Sequence, residues 1–293
     1  MNNRRQFLSQ LGVAGLVGVT AATAAAQNPG VPGGGLKEPV YRVANRARVP
    51  ANEQSPLDAA LAMARRSLQI SRSDVNDYTS VLVKREFVGG KLQPYQYMFI
   101  KLRNRKVENG RLKVPLSAYI SFLKPSSMKG REVVYVENKN DGKLTAHEGG
   151  FKGRFLPTVS LAPDGMLAMQ GQRYPMTDIG IENLLVKLIE RGTQAAAYSD
   201  VQCSFRKNAR VRDRVCTVLE VIQPTRRPDL QFYKAQVYMD DQLNLPIRYV
   251  AYDWPKPGTD KLQVIEEYTY LDVKLNVGLS DRDFDSNNPG YNF

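Results

Sequence analysis

Between residues 78 and 271 the chain is a succession of short runs rich in Val, Ile, Tyr, Phe and Thr, separated by turn residues, and this pattern restricts the fold more than any other feature. Runs of that composition and length read as strands. They are expected at residues 78–88, 95–102, 116–123, 132–137, 143–147, 158–161, 167–170, 201–207, 215–222, 232–239, 247–252 and 262–271. Gly89-Gly90, Asn140-Asp141-Gly142 and Pro163-Asp164-Gly165 supply hairpin turns. Helical spacing occurs in two places. Ser55-Pro56-Leu57-Asp58 combines an N-cap, a proline at the first helical position and an acid in the first turn, followed by Ala60, Leu61, Ala64 and Leu68. Residues 178–191, capped by Thr177, carry Ile181, Leu184, Leu185 and Leu188 on one side. Strands do not alternate with helices, which argues against a parallel nucleotide-binding fold. The expectation is an α+β domain over residues 55–293, with one long antiparallel sheet and helices laid against it.

Several of the runs are apolar on both faces, as in Tyr95-Gln-Tyr-Met-Phe-Ile-Lys-Leu102. In an antiparallel sheet this means that both faces are covered or that one lines a cavity. Two amphipathic helices cannot fill the concave side of so long a sheet, so an apolar pocket is expected, with Phe99, Phe122 and Tyr238 as candidate ligand-binding residues. A one-residue slip in register would reverse each of these assignments.

The N-terminus bears on location. Arg4-Arg5 precedes Phe7-Leu8, a weakly apolar run follows from Leu11 to Ala26, and Ala24-Ala25-Ala26 closes it. This reads as a signal peptide over residues 1–26, of twin-arginine type, with cleavage near Ala26. Residues 27–54, with Val-Pro-Gly-Gly-Gly, read as a flexible lead. No other stretch reaches the length of a membrane span, so no transmembrane anchor is expected and the protein should be periplasmic or otherwise exported and soluble. The formal charge of +12, which becomes +10 on loss of Arg4 and Arg5, favours anionic partners. An exported protein does not meet nucleic acid, which leaves a membrane surface or a polymer. Residues 101–113 hold six cations and one acid. Arg103, Arg105, Lys106 and Arg111 are therefore the candidate contacts to an anionic surface. In an oxidising compartment Cys203 and Cys216 could form a disulfide. They face each other if the intervening turn lies at Ala209-Arg210 and do not if it lies at Arg212-Asp213.

Catalytic signals are weak. His147, the only histidine, stands at a strand end beside Glu148, but neighbouring residues of a strand point to opposite faces. The stretch Thr145-Ala-His-Glu-Gly-Gly-Phe-Lys-Gly-Arg-Phe155 lacks the Gly-Lys-Ser/Thr of a phosphate loop and reads as a rim loop. Ser126-x-x-Lys129 is bracketed by Pro125 and Gly130 and lacks the partner motifs of the penicillin-recognising enzymes. Residues 281–292 begin like a calcium loop but place Ser286 and Asn292 where Gly and Glu are required. No metal and no cofactor are expected.

Three segments resemble outer-membrane lipoprotein carrier and sorting proteins of the LolA-like superfamily: Phe122-Leu-Lys-Pro-Ser-Ser-Met-Lys-Gly-Arg-Glu-Val133, Asp240-Asp-Gln-Leu-Asn-Leu-Pro-Ile-Arg248 and Asn276-Val-Gly-Leu-Ser-Asp-Arg-Asp-Phe284. Residues 57–293 as a whole resemble a family of exported bacterial proteins of unknown function, through Lys139-Asn-Asp-Gly-Lys-Leu144, His147-Glu-Gly-Gly150, Tyr252-Asp-Trp-Pro255 and Glu266-Glu-Tyr-Thr-Tyr270. The resemblance implies an incomplete β-barrel, helices on its concave side and an apolar cavity between them, which in the carriers holds acyl chains. It does not extend to the basic insertion at residues 103–113. The leading expectation is an exported, non-enzymatic binding or carrier protein that shelters an apolar or acylated ligand. The alternatives are an envelope scaffold that holds an anionic surface through the basic loop, and a hydrolase that uses His147. If export follows the twin-arginine route, replacing Arg4 and Arg5 by Lys should leave the precursor in the cytoplasm on cell fractionation; unchanged export would remove that expectation.

Overall fold

The computed structural model describes residues 55–293 apart from positions 154 and 260; the expected signal peptide and lead lie outside the described residues. The strands are β1 (Asp77–Val88), β2 (Lys91–Leu92), β3 (Gln96–Arg103), β4 (Lys106–Glu108), β5 (Arg111–Val114), β6 (Ser117–Lys124), β7 (Glu132–Val136), β8 (Leu144–His147), β9 (Val159–Leu161), β10 (Gln202–Val211), β11 (Arg214–Ile222), β12 (Lys234–Asp240), β13 (Pro246–Tyr252) and β14 (Val264–Leu275). Twelve form one antiparallel sheet, ordered β10, β11, β12, β13, β14, β1, β3, β6, β7, β8, β9, with β2 paired to the end of β1. The two ends are not joined, so the sheet is an incomplete barrel. The hairpin β4–β5 stands apart from it. The helices are α1 (Pro56–Asp74), α2 (Gly150–Gly153) and α3 (Ile181–Ala195).

The helix α1 starts as its sequence dictates, with the Ser55 hydroxyl accepting a hydrogen bond from the Asp58 amide. Its apolar face packs on α3, and the two helices cover one face of the sheet, where Ala60, Val237, Met239 and Tyr249 meet Leu184 and Leu188. On the same face Leu82, Met98, Ile100, Ile120 and Phe122 form a second cluster with Ile181 and Leu185. The α3 helix begins three residues later than expected. Gly180 adopts φ +112, which a helix does not accommodate, and the Tyr78 hydroxyl accepts the Ile181 amide in place of a side-chain cap. Residues 167–170, expected as a strand, are turns that carry the chain across the helix-side face.

The opposite face is covered too. Phe284 is buried against Tyr119, Val134 and Val136, and Tyr291 stacks on Tyr119 with centroids 3.9 Å apart. Buried Glu132 holds this C-terminal segment by accepting from the Asn292 amide at 2.7 Å and from the Tyr119 hydroxyl at 3.1 Å. The segment starts at Asn276, whose side chain accepts the Asn76 amide, while the Asp77 carboxylate takes the amides of Val277, Gly278 and Leu279. The residues of Asn276-x-x-Leu thus serve a chain reversal. Similarly, the Asp240 carboxylate accepts the Gln242 and Leu243 amides and pairs with Arg214. Burial raises the Asp240 pKa, but these donors outweigh it and hold the group below the ordinary aspartate value.

Cys203 and Cys216 are free thiols. The β10–β11 register sets Cys203 opposite Val221 and Cys216 opposite Ala209, the arrangement expected of a turn at Arg212-Asp213. Burial pushes both thiols up to about 12, so neither is a ready nucleophile.

Candidate functional site

The helix-side face of the sheet encloses a cavity of about 470 Å³. Its apolar sheet wall carries Leu82, Met98, Ile120, Phe122 and Val133 from β1, β3, β6 and β7. Facing them are Leu184 and Leu188 of α3 and the crossing segment, which contributes Leu167, Met176 and Ile179. The volume falls within the range of about 300–1,000 Å³ that small-molecule sites occupy, and apolar side chains with a small polar cluster are their usual lining.

That cluster lies where β1 meets β14. Glu86 stands directly opposite Glu266 in the ladder, so two buried carboxylates share one face. Like charges in that position repel. They are held by donors from outside the sheet. Glu266 accepts from Arg191 of α3 at 2.8 Å, from the Tyr174 hydroxyl at 2.7 Å, from the Tyr249 hydroxyl at 3.1 Å and from Arg173 at 3.2 Å. Glu86 accepts from Lys84 at 3.2 Å, from the Arg173 amide at 3.1 Å and from the Tyr268 hydroxyl at 2.5 Å. Gln172 accepts from Lys84. Residues 172–174 of the crossing segment are therefore fastened to the sheet by charge, and the space between the two stays unfilled.

Burial alone would lower the Arg191 pKa, but Tyr249, Glu266 and Tyr174 outweigh it and raise the group above its ordinary value. Burial and then Glu266 push Tyr249 and Tyr268 well up, with Glu86 adding to the rise at Tyr268. The phenols therefore remain neutral donors and the guanidinium remains charged.

The residues nominated from sequence fall in different places. Phe122 lines the cavity. Phe99 and Tyr238 point to the opposite face, Tyr238 beside Val218 and Ile247 and Phe99 between that cluster and Tyr119. Their neighbours Met98 and Val237 take the helix side, as the two-residue period requires. In the basic segment Arg103 pairs with Asp281 at 2.7 Å, Arg105 with Glu137 at 3.0 Å, and Lys106 donates to the Arg72 and Val75 carbonyls, while Arg111 lies exposed on β5. His147 and Glu148 reach the cavity edge, but Glu148 pairs with Arg131 at 2.8 Å and the His147 ring meets the Thr158 hydroxyl at 3.1 Å. Among the described residues nothing links His147 to a carboxylate, and no cluster of three metal-ligating side chains occurs.

Sequence reading missed Glu86, Arg173, Tyr174 and Arg191. The signal available was Glu266-Glu-Tyr-Thr-Tyr270, two acids in a strand otherwise rich in aromatics. Acids adjacent in a strand point to opposite faces. Glu267 turns to the other side of the sheet, where Arg85 and Arg248 bind it.

The chain belongs to the family described as protein of unknown function DUF1571, which it matches over residues 75–293. No curated protein matches it. Among solved structures it is similar to a DUF1329 family protein from Desulfovibrio piger (14% identity, TM-score 0.37, covering 80% of this chain and 98% of that one). It is also similar to an outer membrane lipoprotein-sorting protein domain from Vibrio parahaemolyticus (13%, 0.37, 79% and 98%). A third is a LolA superfamily protein from Nitrosomonas europaea (12%, 0.31, 77% and 97%).

Replacing Glu266 by Ala should cost about 3–5 kcal/mol in urea unfolding, because Arg191 is left buried without its carboxylate. The double variant Glu266→Gln with Arg191→Met should recover much of that loss, and additive losses would contradict the coupling.

Proposed function

We propose that this is an exported, non-enzymatic binding or carrier protein of the cell envelope that shelters the apolar chain of an amphiphile, a lipid or the acyl group of a lipoprotein. The observation that carries the reading is the apolar cavity between sheet, α3 and the crossing segment. An acyl chain placed there leaves water at about 25 cal/mol per Å² of apolar surface before ordering costs, so useful binding does not need a strong polar contact. The polar cluster at Glu86 and Glu266 belongs to the lining and suits the polar part of such a ligand. Lys84, Arg173 and Arg191 engage those two acids, and the cluster offers both donors and acceptors to a polar head. Export rests on Arg4-Arg5 and the run that follows. Among the described residues no helix is long and apolar enough to cross a membrane.

The scaffold alternative draws less support, since Arg103, Arg105 and Lys106 have partners within the chain. The hydrolase alternative has no orienting acid at His147.

Titration with fatty acids, phospholipids and lipopeptides should raise the melting temperature, by the equivalent of about 2.7 kcal/mol at a hundredfold excess over Kd. Val133→Trp, which fills the cavity from its sheet wall, should keep the fold and abolish the shift. Absence of a shift with every class of amphiphile would overturn the carrier reading.

A further inference from the structure

Exposed large apolar side chains are concentrated in one part of the surface. Of nine among the described residues, six fall between residues 151 and 167: Phe151, Phe155, Leu156, Val159, Met166 and Leu167. Phe151 and Phe155 are 76% and 75% exposed and meet edge to face at 5.4 Å, so the two rings form one projecting unit. Met166 is 90% exposed and Leu167 is 70%. Large side chains left in water at this density mark a surface that is covered in use.

The place of this patch gives it meaning. Leu156, Val159 and Leu167 belong both to the exposed set and to the cavity lining. These three residues carry apolar surface from the exterior into the cavity lining. The glycines of Gly149-Gly150 explain how α2 comes to this rim. A Cβ on Gly149 would lie 2.0 Å from the Gly130 carbonyl carbon, so only glycine lets α2 pack against the β6–β7 turn. That contact sets the Lys129 carbonyl 4.0 Å from a Cβ built on Gly150, and the Lys129 side chain is exposed. In the sequence Lys152 and Arg154 lie between the two phenylalanines, and the acids of residues 148–167 are Glu148, which pairs with Arg131, and Asp164.

We propose that this rim, built on Phe151, Phe155 and Met166, docks the protein on the surface of an anionic lipid leaflet. Apolar tips on residues 151–167, a stretch whose sequence carries more cations than acids, suit such a surface, with the rings at the boundary between anionic headgroups and acyl chains. A chain drawn from the leaflet would then enter the cavity over Leu156, Val159 and Leu167 without crossing water. The proposal rests on the carrier reading for its purpose, but its geometry is separate from the binding cavity. It also moves the membrane contact away from the basic segment at residues 101–113, whose Arg103, Arg105 and Lys106 are engaged within the chain.

Co-sedimentation of the full chain with vesicles of phosphatidylglycerol and phosphatidylethanolamine, against vesicles of phosphatidylcholine alone, provides the test. The anionic vesicles should be bound preferentially. The triple variant Phe151→Ser, Phe155→Ser, Met166→Ser should lose about tenfold in affinity, while uptake of a fluorescent fatty acid from solution and the melting temperature stay unchanged. As a second reading, Phe155→Trp in a Trp254→Phe background should shift its emission to the blue on addition of the anionic vesicles. Equal binding by the triple variant, no vesicle binding by the parent, or a dimer in sedimentation that the triple variant dissolves would overturn the proposal. Vesicle docking without uptake of fatty acid, phospholipid or lipopeptide would support docking and remove the carrier reading.

Discussion

The cross-strand pair Glu86 and Glu266 sets a condition that the rest of the helix-side face must meet. Two carboxylates buried opposite one another repel, and neither can stay charged away from water unless donors surround it. The sheet offers only Lys84 and the two hydroxyls of Tyr249 and Tyr268. The remaining donors, Arg173, Tyr174 and Arg191, come from the crossing segment and from α3. A purely apolar contact would draw those elements down until the space closed. Fixed charge-assisted hydrogen bonds instead hold them at the distance their side chains dictate, and a cavity of about 470 Å³ remains beside the cluster.

The same chemistry fastens the opposite face. Glu267 takes Arg85 and Arg248, Glu132 takes the end of the chain, and Asp77 turns it at Val277. Both faces of the sheet are therefore covered by irregular chain that acids hold in place, and the apolar residues beneath need not match the covering closely. This explains strands that are apolar on both sides where the described residues contain two long helices. The cavity has the charged cluster in its lining and shares Leu156, Val159 and Leu167 with the exposed rim.

The strands were legible because β-branched and aromatic runs between turn residues have few other uses, and the start of α1 because Ser55, Pro56 and Asp58 state it directly. The start of α3 was not legible, since Thr177 and Asp178 form a plausible cap and the deciding feature is the positive φ of Gly180 with the distant Tyr78 hydroxyl. Residues 167–170 have strand composition but no neighbouring strand to pair with, and their apolar side chains serve the cavity wall and its rim. A cavity was expected from the two-sided strands, yet of Phe99, Phe122 and Tyr238 only Phe122 lies in it. Composition gives the presence of two faces, whereas register and bulges decide which residue takes which, and the β3–β6 ladder shifts between Tyr97 and Met98. The polar cluster was invisible because its members lie far apart in sequence, brought together by the pairing of β1 with β14 and by the packing of α3 and the crossing segment on them.

Native mass spectrometry of the protein isolated from its native cells, before and after solvent extraction, tests the central claim most directly. The account predicts an excess mass in the range of a single amphiphile, lost on extraction and absent when Val133→Trp fills the cavity. A protein that carries only its polypeptide mass before extraction, with the Val133→Trp form indistinguishable from it, would contradict the account.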